Sequence, residues 1–162
     1  MTFIKSIIND SNKILLKKYG PPAPELLISD QSSIRVAFVD TETTGIDKIN
    51  DHIIEMAVKV LCFETLSGKI LSVEGSYESF NDPEEDISAE ITHLTGIDNK
   101  MVDGQFIDWK EVDAIFESVD IIIAHNASFD RAFIDRFSSI SPSKVWACSI
   151  SDIDWLERGF TS

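Results

Sequence analysis

The stretch Ile34-Arg35-Val36-Ala37-Phe38-Val39-Asp40 constrains the fold more than any other part of the chain. It is rich in β-formers and almost continuously apolar, the pattern of a central strand buried on both faces. It ends in acids, Asp40 and Glu42, followed by Thr43, Thr44 and Gly45. Residues two apart on an extended chain point the same way, so both carboxylates can face one pocket. Two neighbouring anions repel and are costly to desolvate, and a divalent cation removes both penalties. Hard cations such as Mg²⁺ and Mn²⁺ prefer oxygen ligands of this kind. Thr43, Thr44 and Gly45 suit a tight turn with free backbone N–H groups beside such an ion. An Asp-x-Glu pair alone is also what a solvated strand end looks like.

The neighbouring segments give the strand its context. Ile53 to Phe63 reads as a second strand and Gly68 to Glu78 as a third, joined at Ser67-Gly68. Asn81 to Asp103 reads as loop, interrupted by Pro83 and Gly96. Asp108 to Val119 reads as a helix, with Val112, Ile115, Phe116 and Val119 on one face and Asp108 as its cap. Ile121 to Ala124 is a short buried strand, Ala127 to Phe137 a helix with a Phe129, Phe133, Phe137 stripe, and Val145 to Ser149 a last strand. Three strands followed by alternating elements imply an α/β fold with a mixed sheet and flanking helices. At the N-terminus, Ile4, Ile7, Ile8, Leu15 and Tyr19 recur near helical spacing between lysines, and Gly20-Pro21-Pro22-Ala23-Pro24 then breaks any helix. Residues 1–32 are therefore expected to be a helical appendage with a Pro-rich linker, and 33–162 the domain proper.

Composition narrows the function. The 162 residues carry a net charge of −14, and residues 74–120 alone hold 14 acids against 2 bases. Such a field disfavours a non-specific duplex binder but not an enzyme whose metal ions receive the phosphates. Apolar runs of four or five residues fall far short of the roughly 20 of a membrane helix. No continuous apolar signal core is visible, and Cys62 and Cys148 fit neither a metal spacing nor a disulfide framework. The expected setting is the cytoplasm, away from membranes.

A second string carries chemistry: His125-Asn126-Ala127-Ser128-Phe129-Asp130. A strand ends, a helix begins with Asn126 or Ser128 as its cap, and Asp130 falls in the first turn. There it either offsets the helix dipole or faces Asp40 and Glu42 across a pocket.

Together the two strings resemble the DEDD superfamily of 3′–5′ exonucleases, the DEDDh-type group that includes the epsilon subunit of DNA polymerase III. Asp40, Glu42, Thr43, Thr44 and Gly45 match the first family motif; His125, Asn126, Ala127, Phe129 and Asp130 match the second. Ile91 to Ile97 also looks like the family's intervening segment, and the resemblance covers about residues 34 to 150. It implies a ribonuclease H-like fold and two Mg²⁺ or Mn²⁺ ions in the complete site. Asp40 and Glu42 would hold the ion that activates water, Asp40 bridging, and Asp130 the ion at the leaving 3′ oxygen. Thr43, Thr44, Gly45, Ile46 and Asn126 would contact the terminal nucleotide, with Ile46 against its base. The implied substrates are 3′ ends of DNA or RNA, single-stranded or short, and the implied partners include a polymerase or another protein.

The chain departs from the family at its third motif. No histidine follows Asp130; His93 with Asp98, and His125 with Asp130, have the motif's spacing but lie too early. A missing general base costs typically about 10²- to 10⁴-fold in rate. The expectation is therefore a C-terminally incomplete domain lacking its last helices and impaired as an exonuclease. The competing expectation is a catalytically inactive remnant that binds nucleotide or protein.

Overall fold

The computed structural model describes the backbone of residues 4–10 and 13–18, and residues 32–157 in full. The first two segments are strands β1 (Ile4–Asp10) and β2 (Lys13–Lys18), paired antiparallel with Ile8 opposite Leu15 and Asp10 opposite Lys13. This corrects the helix expected over 3–19. Ile4, Ile7, Ile8 and Ile14 are β-branched, and the polar run Asn9 to Asn12 in the sequence has turn chemistry, so local preference outweighs the approximate helical spacing. The Pro-rich linker lies outside the described residues.

The domain is built on a five-stranded sheet in the order β5-β4-β3-β6-β7. Its strands are β3 (Ser33–Thr43), β4 (Ile53–Glu64), β5 (Ile70–Phe80), β6 (Ile121–Ala124) and β7 (Val145–Cys148). β3, β4 and β5 form an antiparallel meander, whereas β6 and β7 run parallel to β3. Helices α1 (Ala89–Thr95), α2 (Asn99–Val102), α3 (Trp109–Glu117) and α4 (Ala127–Ile134) make the connections. Two of these, α1 and α2, interrupt the segment read as loop. They are short helices of 7 and 4 residues, capped by Ser88 and Asp98, too brief to leave a periodic apolar signal. Among the described residues no α-helix follows α4, and none is long and apolar enough to cross a membrane.

Alternation along the strands divides the sheet into two faces. Ala37, Val39, Met56, Val58, Val60 and Ile122 point to one face, where Val112 and Phe116 of α3 and Phe133 and Ile134 of α4 close the core. Asp108 starts α3 as expected, its carboxylate accepting from the amides of Lys110 and Glu111 at 3.0 and 3.2 Å. The Asp108 amide donates to the Tyr77 hydroxyl on β5 at 2.8 Å, fixing the helix entry against the sheet. Phe38, Asp40, Glu42, Glu55, Leu61 and Ile123 belong to the other face and are half-buried.

Candidate active site

The site arises from a mismatch in strand length. β6 pairs with β3 only from Val36 to Val39, while β3 runs on to Thr43. From Asp40 onward the β3 edge beyond β6 has no ladder partner, and its amides need other acceptors. α4 supplies one. The Asp130 Oδ1 accepts from the Thr41 amide at 3.0 Å and from the Thr41 hydroxyl at 2.8 Å. The second motif is thereby fastened to the first at the point where the sheet stops. Asp130 is only 3% exposed, and Thr41 is buried with it.

Asp40 and Glu42 lie on the half-buried face, as strand alternation requires. A β-bulge follows: Glu42 faces Glu55, but Thr43 faces Ile53, so Ile54 is the extra residue on β4. Bulges bend and twist a ladder where a side chain must be re-aimed. The electrostatics show that the acids sense one another. Burial pushes the Glu42 carboxyl up, and Asp40, Glu55 and Asp130 push it further. Burial also raises Asp40, partly offset by the nearby His125 ring. Asp130 is raised to about 6, chiefly by burial, with the Thr41 bonds opposing and the Asp40 charge adding to the rise. No Lys or Arg among the described residues forms an ion pair with these carboxylates.

The donor set suits a hard divalent cation: oxygen ligands only, uncompensated by side-chain cations and raised in proton affinity chiefly by burial, with neighbouring acids adding to the rise at Glu42 and Asp130. The side chains are not drawn together, however. Among the described residues no group of three His, Cys, Asp or Glu already stands in ligating array.

The loop after β3 is fixed rather than slack. The Thr44 amide donates to the His52 carbonyl at 2.8 Å, and the His52 amide returns a bond to the Thr44 hydroxyl at 3.0 Å. This corrects the expectation of a free Thr44 N–H: the loop itself consumes it. The Thr43 hydroxyl donates to the Gly45 carbonyl at 2.6 Å. A side chain at Gly45 would collide with the Asp51 carboxylate, which accepts from the Asp47 amide at 2.7 Å; glycine is required here by space. Lys48 reaches the Ser128 carbonyl at 2.9 Å and Arg136 the Asp51 carbonyl at 2.6 Å, tying the loop along α4. Ile46 stands out into solvent at 85% exposure on this anchored loop.

Asn126 occupies the cap position of α4 with φ +64°, a left-handed conformation asparagine tolerates, but its side chain makes no capping bond. The expected Asn126 cap is thus a backbone turn instead. His125 bonds through Nδ1 to the Ser149 hydroxyl at 2.8 Å, joining the ends of β6 and β7. Sequence reasoning missed three contributors: Thr41, which holds Asp130; Glu55, opposite Glu42; and Ser149. Thr41 was legible in principle, lying between the two acids. The other two depend on strand register.

A mixed five-stranded sheet with flanking helices, whose central strand outruns a parallel neighbour and carries acids at that end, defines an α/β domain with a candidate active site at the strand end. The RNase_T family model, described as Exonuclease, matches residues 37–139, and the chain belongs to this family within the DEDD 3′–5′ exonuclease superfamily. Among relatives, the DNA polymerase III PolC-type protein of Bacillus cereus is 39% identical over 103 residues, 59% of this chain. That of Caldanaerobacter subterraneus subsp. tengcongensis is 38% identical over 109 residues, 64% of this chain. The aligned parts are 6% and 7% of those relatives' lengths. Among solved structures, exonuclease X in complex with 5′ overhanging duplex DNA matches 78% of this chain and 66% of its own. The TM-score is 0.53 and the identity 25%. A product-bound exonuclease I shares the fold at TM-score 0.54 and 12% identity, over 74% of this chain and 30% of its own. The mixed sheet with few flanking helices is that of the ribonuclease H-like exonucleases.

Proposed function

We propose that residues 33–162 form a 3′–5′ exonuclease domain, preceded by an appendage, that hydrolyses phosphodiester bonds at single-stranded or short 3′ ends of DNA or RNA. The observation that carries this reading is geometric: where β3 outruns β6, Asp40 and Glu42 share one face and Asp130 is fastened to Thr41 between them, in a chain of the exonuclease family. These three residues would hold two Mg²⁺ or Mn²⁺ ions. When bound, the ions supply an activated water and offset the charge developing on the leaving 3′ oxygen.

The protein's own part is positioning. Thr41 keeps one Asp130 oxygen engaged, so the carboxylate enters the site in a fixed orientation. The loop, tied to Ser128 and to Arg136, holds Thr43, Thr44 and Gly45 still, and the exposed Ile46 on it would meet the terminal base, with Asn126 as a further contact. Preorganised groups of this kind lower the entropy cost of seating a reacting phosphate. Kinship with PolC-type polymerases supports action beside a polymerase, in the cytoplasm.

The test is release of mononucleotides from a 3′-labelled single strand in Mn²⁺, comparing the chain with Asp40→Ala. Release by the first and not the second is expected. Equal background from both would leave the chain as a nucleotide- or protein-binding module.

A further inference from the structure

We propose that Arg136 is a positioning residue for the substrate: by clamping the loop that follows β3, it sets the affinity for a 3′ end and not the rate of the chemical step. The inference rests on the exonuclease reading and adds to it a residue just beyond the C-terminal end of α4, outside both sequence motifs.

The Arg136 guanidinium is engaged from two directions. Its Nη1 donates to the Asp51 carbonyl at 2.6 Å and to the Lys48 carbonyl at 3.3 Å. Its central carbon lies 5.7 Å from the centre of the Phe133 ring and 5.3 Å from that of Phe137. Phe133 is buried in the core, and Phe137 stacks on Trp109 at the start of α3, with ring centres 5.1 Å apart and planes 15° from parallel. The cation is therefore seated on aromatic rings of the helical layer and reaches from them to the loop backbone. A guanidinium can stack and donate at once because it is planar and carries its donors in a fixed fork. An ammonium is a point charge on a flexible stem.

What the clamp holds is a single cross-tied turn. The Asp47 carboxylate accepts from the amides of Ile49 and Asn50 at 2.9 and 3.3 Å and from the Asn50 side chain at 2.8 Å. The Asp51 amide donates to the Asp47 carbonyl at 2.9 Å, and the Asp51 carboxylate returns by accepting from the Asp47 amide, beside Gly45. The Lys48 and Asp51 carbonyls belong to this turn, so fixing them fixes Gly45 and the exposed Ile46 with them. The turn's own bonds set its shape, and Arg136 sets its place relative to α4, which carries Asp130. A loop already ordered pays less of the cost of immobilisation when a strand binds. Freeing it weakens the hold on the strand and leaves the anchoring of Asp130 on Thr41 intact.

The experiment compares the full wild-type chain with Arg136→Gln, Arg136→Lys, Ile46→Ala and the double variant R136Q/I46A. Fluorescence anisotropy reads binding of a 5′-fluorescein-labelled oligothymidylate in Ca²⁺, and release from a 3′-labelled strand in Mn²⁺ gives KM and kcat. Arg136→Gln is expected to weaken binding and raise KM by about 3- to 10-fold, the size of one or two side chains ordered on binding, with kcat unchanged. Arg136→Lys, which keeps the charge but not the stacked plane, should fall between and carries the test if the Gln variant does not fold. Adding Ile46→Ala to Arg136→Gln should cost less than Ile46→Ala alone, because both act through one loop. Wild-type binding and KM in the Arg136 variants would overturn the inference and leave the exonuclease reading intact. So would a fall in kcat at constant KM, or fully additive effects with Ile46→Ala, since either would place Arg136 outside the loop's hold on the strand. A wild-type chain that neither binds nor cleaves the strand would end both readings.

Discussion

Asp130 is held by the fold in a setting that opposes its own ionisation. Its Oδ1 satisfies the Thr41 amide that β6 leaves unpaired, yet burial raises its carboxyl to about 6 from the ordinary 3.8. A raised acid holds its proton in the native state over a range where the unfolded chain has lost it. Its contribution to stability is therefore complete below about pH 4 and disappears as pH rises through 6. Two pH units correspond to about 3 kcal/mol. Other acids titrate with the reverse sign, among them Asp113, held low by the Ser138 and Ser139 hydroxyls despite burial. The informative quantity is therefore a difference. Urea unfolding in chelator between pH 4.5 and 7.5 should show wild type losing stability relative to Asp130→Asn as pH rises. A constant gap between the two curves would contradict the burial of this carboxyl as an acid. In the presence of a divalent cation the slope should flatten, because the ion replaces the proton as the neutralising charge.

At the level of elements, α3 shows what a sequence discloses well. Asp108 before an apolar face at helical spacing reads as a cap, and it is one, bonded to two amides of the first turn. Asp108→Ala should cost about 1 kcal/mol in urea unfolding. Asp108→Asn should recover most of that, since the amide oxygen still accepts. The strands were equally legible: Ile121 to Ala124 coincides with β6, and the acids of both motifs fall at the end of β3 and in the first turn of α4, where the sequence pattern puts them. Pairing between strands was not legible. That β3 outruns β6 by four residues, that Asp130 docks on Thr41, and that Glu55 faces Glu42 beside a bulge all depend on register. Register depends on loop lengths and packing that no local pattern encodes. The N-terminal segment failed for another reason. Five apolar residues among lysines satisfy a helical period loosely, while β-branching at four isoleucines satisfies a strand better. A period read from few residues is a weak guide when the residue types favour the other state.

For the molecule as a whole, the net charge of −14 sets two salt responses that are easily confused. General self-repulsion is screened by any electrolyte, so added NaCl should raise Tm modestly. A site built from Asp40, Glu42 and Asp130 responds instead to the identity of the ion. Ligand binding to the native state stabilises by about 2.7 kcal/mol at a hundredfold excess over Kd, which for a chain of this size is about 5–10 °C in Tm. Millimolar MgCl₂ or MnCl₂ should therefore raise Tm beyond NaCl of equal ionic strength. Asp40→Asn should lose that excess while keeping the common part of the response. The metal-free variant should itself melt higher than metal-free wild type, because one of the repelling acids at the end of β3 is gone. Equal shifts with Mg²⁺ and Na⁺ in the wild-type chain would mean that the acids act only as a diffuse charge. In that case the coupling seen at the end of β3 would carry no catalytic metal, and the raised Asp130 would be a cost of anchoring α4 to the sheet.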